Sequence, residues 1–498
     1  MNAQGKSSYA QDTMFLYIWT AFIAVYPLLI NVFLPKPNFD QYKDELLEKG
    51  WLHITGITMP SPEMIWIFPK VAALLFLAVL AFLYLKEHAE RSTPVLLVLV
   101  YAVAAVLSGV FSGESLQYVL LGGEGRMDGL LYALALSTFF VFTYSLTRQF
   151  KYRLVNLFVL ALAFSALVES LLVFAQRLGH DYIGALTVGM RYPLITGTAG
   201  NPGMVAAMLL PAVLIAAGVA ITKTRSRPGF VFWLLAAMVT AASLSLVNNR
   251  SSFYALLIAL AAMVVIYRRN PRVYLTTLLV GLTLFAAPQI FPNQTRVQER
   301  SLTSTKTLST RLMIWKIAAE VSLHTKGQPL WGGGFDALKK GLISQGRARE
   351  YMELYRLEAG WPDSVKISEL RWLHEPGEPL KTSAILVYAR DEKTGQSYDG
   401  VRKVVLDKAH NYFLDRTVST GLLSALIWLV LFLWPVVHGL KSNDALIKTF
   451  AIAIAALFIY YQLWFPVPQT EPLHVAMLAI AWGALYEKSR YDIRNATS

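Results

Sequence analysis

Apolar residues gather in long runs along most of the chain, separated by short polar or charged stretches. A helix that crosses a bilayer needs about 20 mostly apolar residues. Twelve runs approach that length, at about 14–35, 64–85, 93–111, 129–147, 154–175, 203–222, 229–247, 252–267, 273–291, 418–438, 449–466 and 472–486. The run at 252–267 is short and needs flanking residues to span. Between Pro292 and Ala409 the pattern changes, and no run there is long enough to cross. In that stretch "TSTKTLSTRLMIWKIAAEVSLHT" predicts a helix from about Thr310, with Ile314, Ile317, Ala318 and Val321 on one face. A Gly-rich turn and a short helix follow in "KGQPLWGGGFDALKKGL". Alternation in "VKISELRWLHE" and "TSAILVYARDEKTG" predicts strands.

The pattern predicts an all-α polytopic membrane protein of about 12 transmembrane helices, with one large loop that carries helices and a small α+β insertion. Residues 1–291 hold spans one to nine, and residues 292–409 form the loop, with the insertion at about 344–405. Residues 410–498 hold spans ten to twelve and a tail. The segment from Lys36 to Pro62 is expected to form a surface cap.

Composition agrees with this pattern. Charged residues make up 15% of the 498 positions and hydrophobic residues 55%, whereas soluble domains carry about 25% charged residues. The net charge of +13 raises the question of nucleic acid, but its distribution answers it. Alternate connections and the tail carry Lys86, Arg91, Arg148, Lys151, Arg153, Lys223, Arg225, Arg227, Arg268, Arg269 and Arg272, then Lys441, Lys448, Lys488, Arg490 and Arg494. The other short connections carry fewer basic residues. By the positive-inside rule both termini are cytoplasmic and the large loop lies on the opposite side. The basic excess is then mostly topology, and membrane lipids are the expected surroundings. No small-x-small cleavage site follows the first run, which reads as a retained span. The absence of cysteine excludes disulfides and thiolate catalysis. No Walker A, HExxH or Cys/His metal spacing occurs, so no metal or other cofactor is expected.

Ionisable residues at the ends of spans are functional candidates, because burying a charge in a membrane is costly. Arg126 stands in "GGEGRMDGLL" at the mouth of the fourth span. Arg191 precedes a Gly-Asn-Pro-Gly turn, with Asn201, that opens the sixth. Arg250 occupies the short turn "SLVNNRSSFYALL", and Arg311 starts the loop helix, ahead of Gly332, Gly333 and Gly334. Each arginine alone is explained equally well by interfacial anchoring. Gathered on one face, with Gly-rich turns offering backbone N–H groups, they suit a phosphate or diphosphate. His410 and Asn411, in "LDKAHNYFLDRTVSTG", stand where the polar stretch turns into the tenth span. Such a histidine is more often an interfacial hydrogen-bonding group than a catalyst. Its imidazole is nonetheless the side chain best matched to taking a proton near neutral pH. Asn411 is placed to orient it or to hold a substrate hydroxyl, and Asp407 and Asp415 are candidate partners.

The order "GRMDGLL", then Arg191 with "GTAGNPG", then an arginine in a short loop, then "STR" with a tryptophan and a Gly run, then "HNYFL" running into "GLLSALIWL", resembles the O-antigen ligase/polymerase superfamily. That superfamily includes Wzy-type polymerases, WaaL-type ligases and bacterial O-oligosaccharyltransferases. The resemblance covers about 90–440. It implies a glycan donor linked to undecaprenyl diphosphate, used at the periplasmic face of a bacterial inner membrane. The acceptor hydroxyl would belong to a glycan, to lipid A-core or to a protein. It also implies that Arg191 and Arg250 contact the donor diphosphate, that His410 is the base on the acceptor, and that Arg126 and Arg311 are supporting cations. Inverting, metal-independent transfer is expected. Two departures stand out: Gly203 replaces the usual second asparagine of Asn-Pro-Asn, and the 344–405 insertion is long. Two other classes remain, a polysaccharide or lipid transporter and a membrane scaffold or sensor. Substrate movement without glycan bond formation distinguishes the first, and unchanged glycans in a deletion strain the second.

Overall fold

A computed structural model describes residues 3–31, 65–123, 126–182, 195–224, 226–292, 306–324, 328–335, 337–359, 361–373, 384–403, 406 and 408–497. The expected cap from Lys36 to Pro62 lies outside the described residues. In chain order the helices before the polar stretch are α1 (Ala3–Val25), α2 (Phe68–His88), α3 (Thr93–Phe111), α4 (Leu116–Leu121) and α5 (Leu130–Phe150). They continue with α6 (Tyr152–Arg177), α7 (Pro202–Thr222), α8 (Arg227–Leu246), α9 (Arg250–Ile266) and α10 (Arg272–Ile290). The polar stretch holds α11 (Lys306–His324), α12 (Gln328–Trp331), α13 (Ala337–Ser344), α14 (Ala348–Ala359), β1 (Val365–Leu373), β2 (Ala384–Asp391) and β3 (Gly400–Lys403). The chain ends with α15 (Tyr412–Thr420), α16 (Leu422–Lys441), α17 (Ala445–Tyr461) and α18 (Glu471–Thr497).

Among the described residues eight helices are long and apolar enough to cross a membrane: α2, α3, α5, α6, α7, α8, α10 and α16. The apolar helices α9 and α17 are shorter, at 17 residues each. Outward faces carry large apolar side chains such as Phe76, Val110, Leu171 and Val265, the surface of a membrane protein. At the centre stands α7, whose apolar stretch is wholly buried. Small residues let its neighbours come close. Gly218 of α7 lies directly against Thr449 of α17, where any Cβ would collide. Gly483 of α18 likewise leaves room for Thr147 of α5.

A second, smaller core forms in the polar stretch. Ile314, Ile317, Ala318 and Val321 of α11 are all buried, as their spacing predicts, against Leu338, Leu342, Met352, Ile385 and Val387. The three strands run antiparallel in the order β1-β2-β3, with an irregularity between Ile367 and Glu369. This core docks on the bundle at one end. Gly333 and Gly334 N–H donate to the Val418 and Ser419 carbonyls at 2.9 and 3.0 Å. Lys340 pairs with Glu114 at 2.7 Å and donates to the Ser112 carbonyl.

Boundaries depart from the apolar pattern at the run 14–35, where the helix covers Ala3–Val25, and at the run 418–438. The run at 418–438 is two helices, broken at Gly421, whose φ is 89°. A Cβ there would collide with the Leu330 carbonyl. The break is therefore made by the close approach of α12, and not by loss of hydrophobicity.

Candidate active site

Residues 408–411 lead from the smaller core into α15. Ala409 N–H donates to Asp415 Oδ1 at 3.0 Å. Asn411 Oδ1 accepts from Phe413 and Leu414 N–H at 3.0 and 3.1 Å, satisfying donors that the first helical turn leaves open. Its Nδ2 donates to the Gln462 carbonyl at 3.1 Å. His410 is thus held between two anchored neighbours, at a φ of 51°. That left-handed conformation is costly for a residue with a Cβ and marks a place the surroundings impose. The imidazole meets Phe465 at 4.8 Å and Trp464 at 5.7 Å, edge to face. Its Nδ1 is buried, with no hydrogen-bond partner among the described residues.

Two cations bear on this ring. The Arg126 guanidinium lies 5.2 Å from the centre of Phe465, the same ring that packs on His410. Arg311 stands one helical turn before Trp315 on α11, and Trp315 Nε1 reaches the His410 carbonyl at 3.4 Å. Burial first, then Arg311, then Arg126 hold the imidazole pKa well below the usual histidine value.

Trp464 also joins this group to the Gly-Asn-Pro-Gly turn. Gly203 lies flat against the Trp464 ring, where a Cβ would collide. Tyr460 donates to the Gly203 carbonyl at 2.7 Å, and the Arg311 charge also reaches Tyr460. Asn201 caps α7 by accepting from Gly203 N–H at 2.8 Å. The turn behind it is held by side chains from α6 and α2. Gln176 accepts from Thr196 and Gly197 N–H, and Glu169 accepts from Thr198 N–H and its hydroxyl. Lys70 donates to the Thr198 carbonyl at 2.9 Å.

A buried ion pair ties the two cationic and basic loops together. Lys408, two residues before His410, meets Asp128, two residues after Arg126, at 2.5 Å. Asp415 lies 3.6 Å from the same ammonium. Burial pushes the Asp415 carboxyl up, and Lys408 opposes that rise. Beyond them Glu471 is buried, accepting from Tyr132, Tyr412 and Arg416.

Of the residues picked from the sequence, the structure brings together His410, Asn411, Arg126 and Arg311, with the Asn201 turn joined through Trp464. Arg250 is the first residue of α9 and follows the capping Asn249. By chain direction it starts at the same end of the bundle as α7. Arg191 and Asp407 lie outside the described residues. Two sequence readings are corrected. The Gly332–Gly334 run does not form an open row of amides, because Gly333 and Gly334 bond the end of α15. Asp415 serves Ala409 and Lys408 instead of the imidazole. Sequence reasoning missed Lys408, Asp128, Trp464, Phe465 and the Glu169–Gln176 collar. Lys408 and Asp128 flank chosen residues at two positions, which was a usable signal. Among the described residues no group of three His, Asp or Glu gathers to hold a metal. Comparison of the chain with family models and with characterised proteins finds no match.

Proposed function

We propose that the protein is a membrane glycosyltransferase that moves a glycan from undecaprenyl diphosphate to an acceptor hydroxyl. The observation that carries this reading is the His410 imidazole packed edge to face on the stacked Trp464 and Phe465 rings, with Arg126 seated on Phe465 and Arg311 one turn before Trp315, at one end of an apolar helical bundle. The acceptor oxygen attacks the anomeric carbon while His410 takes its proton. The bond from that carbon to the diphosphate breaks, and its electron pair leaves on the diphosphate. Arg126 and Arg311, with Arg191 and Arg250 as the resemblance implies, stabilise the charge that develops there. Attack opposite the leaving group inverts the carbon. In this reading the chain crosses a bacterial inner membrane about twelve times. Both termini are cytoplasmic, and the site with the 292–409 segment is periplasmic.

The test is a donor-to-acceptor transfer assay on purified variants. His410→Ala and Arg311→Gln should each abolish transfer while the protein elutes and melts like the parent. Full activity of both would end the assignment.

A further inference from the structure

We propose that the short helix α12 is an interfacial anchor: Pro329, Leu330 and Trp331 enter the membrane leaflet nearest the 306–403 region and tie that region to the bilayer surface. In the topology proposed above this is the outer leaflet. The inference rests on α3 and α16 crossing a bilayer and is independent of the transfer reaction.

The lengths of two helices give the depth. α3 has 19 residues and α16 has 20, so at about 1.5 Å per residue each is about 30 Å long, the thickness of a hydrocarbon core. Arg91 just before α3 and Lys441 at the end of α16 mark one headgroup level. Phe111 and Leu422, at the opposite ends, therefore lie at the other face of the core. α12 is packed at that level. The Leu330 carbonyl abuts Gly421, the residue before α16, and Gly334 abuts Ser112, the residue after α3. The Lys340–Glu114 pair, bonded to the Ser112 carbonyl, marks where the charged level begins. The surface between is apolar. Leu330 is 61% and Trp331 37% exposed, although both lie in the polar stretch. Val110 and Phe111 of α3 and Leu422 and Leu426 of α16 are exposed as well, and they end the faces that those helices turn to lipid. Lipid continuing over α12 removes this patch from water. Tryptophan favours the level where hydrocarbon meets headgroup. Irregular backbone is tolerated at that depth when its polar groups are paired within the protein. Gly333 and Gly334 N–H, directly after α12, are paired with the Val418 and Ser419 carbonyls. Because α11 leads into α12 and the Gly run leads into α13, an anchor here fixes the height of the smaller core above the membrane.

The chain has no cysteine, so a single introduced thiol carries a spin label without background. Leu330→Cys is read in phospholipid nanodiscs against two references. Val103→Cys lies near the middle of the exposed face of α3, and Lys366→Cys is exposed on β1. At position 330, as at 103, collision with oxygen should exceed collision with a water-soluble nickel chelate, and the order should reverse at 366. Chelate access at 330 equal to that at 366 would overturn the anchor. A label at 330 shielded from both reagents would overturn it as well, because protein then covers the patch. Chelate access at 103 would overturn the spanning reading, and the anchor with it. A label-free measurement uses lipids brominated high on the acyl chain. They should quench a larger share of the parent's fluorescence than of Trp331→Phe, and equal quenching would overturn the anchor.

Discussion

Replacing Lys408 by methionine removes a buried ammonium while keeping its bulk, and the structure fixes what should follow. Lys408 and Asp128 are only 5% and 11% exposed and 2.5 Å apart, with Asp415 at 3.6 Å. Removing one member of a buried ion pair leaves an uncompensated charge, a cost of about 3–5 kcal/mol. Here two carboxylates lose their shared cation, so Lys408→Met should fall at the upper end. Asp128→Asn should cost less, about 1–2 kcal/mol, because Lys408 keeps Asp415 and the amide still accepts a hydrogen bond. The double variant should be milder than the sum, with a coupling within about 0.5–3 kcal/mol. The pH dependence has a definite sign. Asp415 already binds its proton more tightly than an ordinary carboxyl, and loss of Lys408 raises its pKa further. The folded state then holds more protons than the unfolded one, so Lys408→Met regains stability as pH falls from neutral toward the ordinary carboxyl range. Transfer should fall further than stability. The pair lies two residues from both Arg126 and His410, and a misplacement of about 1 Å costs about a hundredfold in rate. Thermal unfolding in detergent at pH 7 and pH 5, alongside kcat/KM for transfer, reads all of this. Parental stability and rate for Lys408→Met would refute the claim that this pair positions the two loops.

Four smaller expectations follow from the same geometry. Asn411→Ala should lose about 1 kcal/mol as a capping residue, whereas Asn411→Asp keeps the cap and should retain most stability in the same melting assay. Gly203→Ala should press a methyl into Trp464 and lower transfer. Gly281→Ala, in open space on α10, should leave activity intact and stabilise by about 0.5–1 kcal/mol. Gly332→Ala meets the Ser419 carbonyl at a φ of 75°, so proteolysis should release the 306–403 region more readily than in the parent.

What the sequence disclosed follows the range of the forces involved. Runs such as 93–111 and 203–222 coincide with α3 and α7 to within a residue, because a bilayer demands contiguous apolar length. The strands at 365–373 and 384–391 were visible because alternation is local. The break at Gly421 was not visible, since its cause is the Leu330 carbonyl, far away in sequence. Lys408 and Asp128 are 280 positions apart, so their pairing was not legible, although each stands two positions from a chosen residue. Trp464 and Phe465 end the apolar run 449–466, and only the fold shows them packed on His410.

The fate of the glycine-rich segments changes the logic of the site. Their composition suits N–H groups that cradle an anion. In the structure, Thr196, Gly197 and Thr198 N–H are bonded to Gln176 and Glu169. Ala199 and Gly200 close on the Thr196 carbonyl, and Gly203 is capped by Asn201. Gly333 and Gly334 hold α15, and the start of α15 is closed by Asn411. These backbone donors build the scaffold and have no N–H left over for a ligand. In the proposed reading a diphosphate at this end is met by side-chain cations, whose charge can be repositioned. In that reading Arg126 shares the Phe465 ring with the His410 imidazole, so the residue that would meet the leaving group and the residue that would take the proton are held by one aromatic wall.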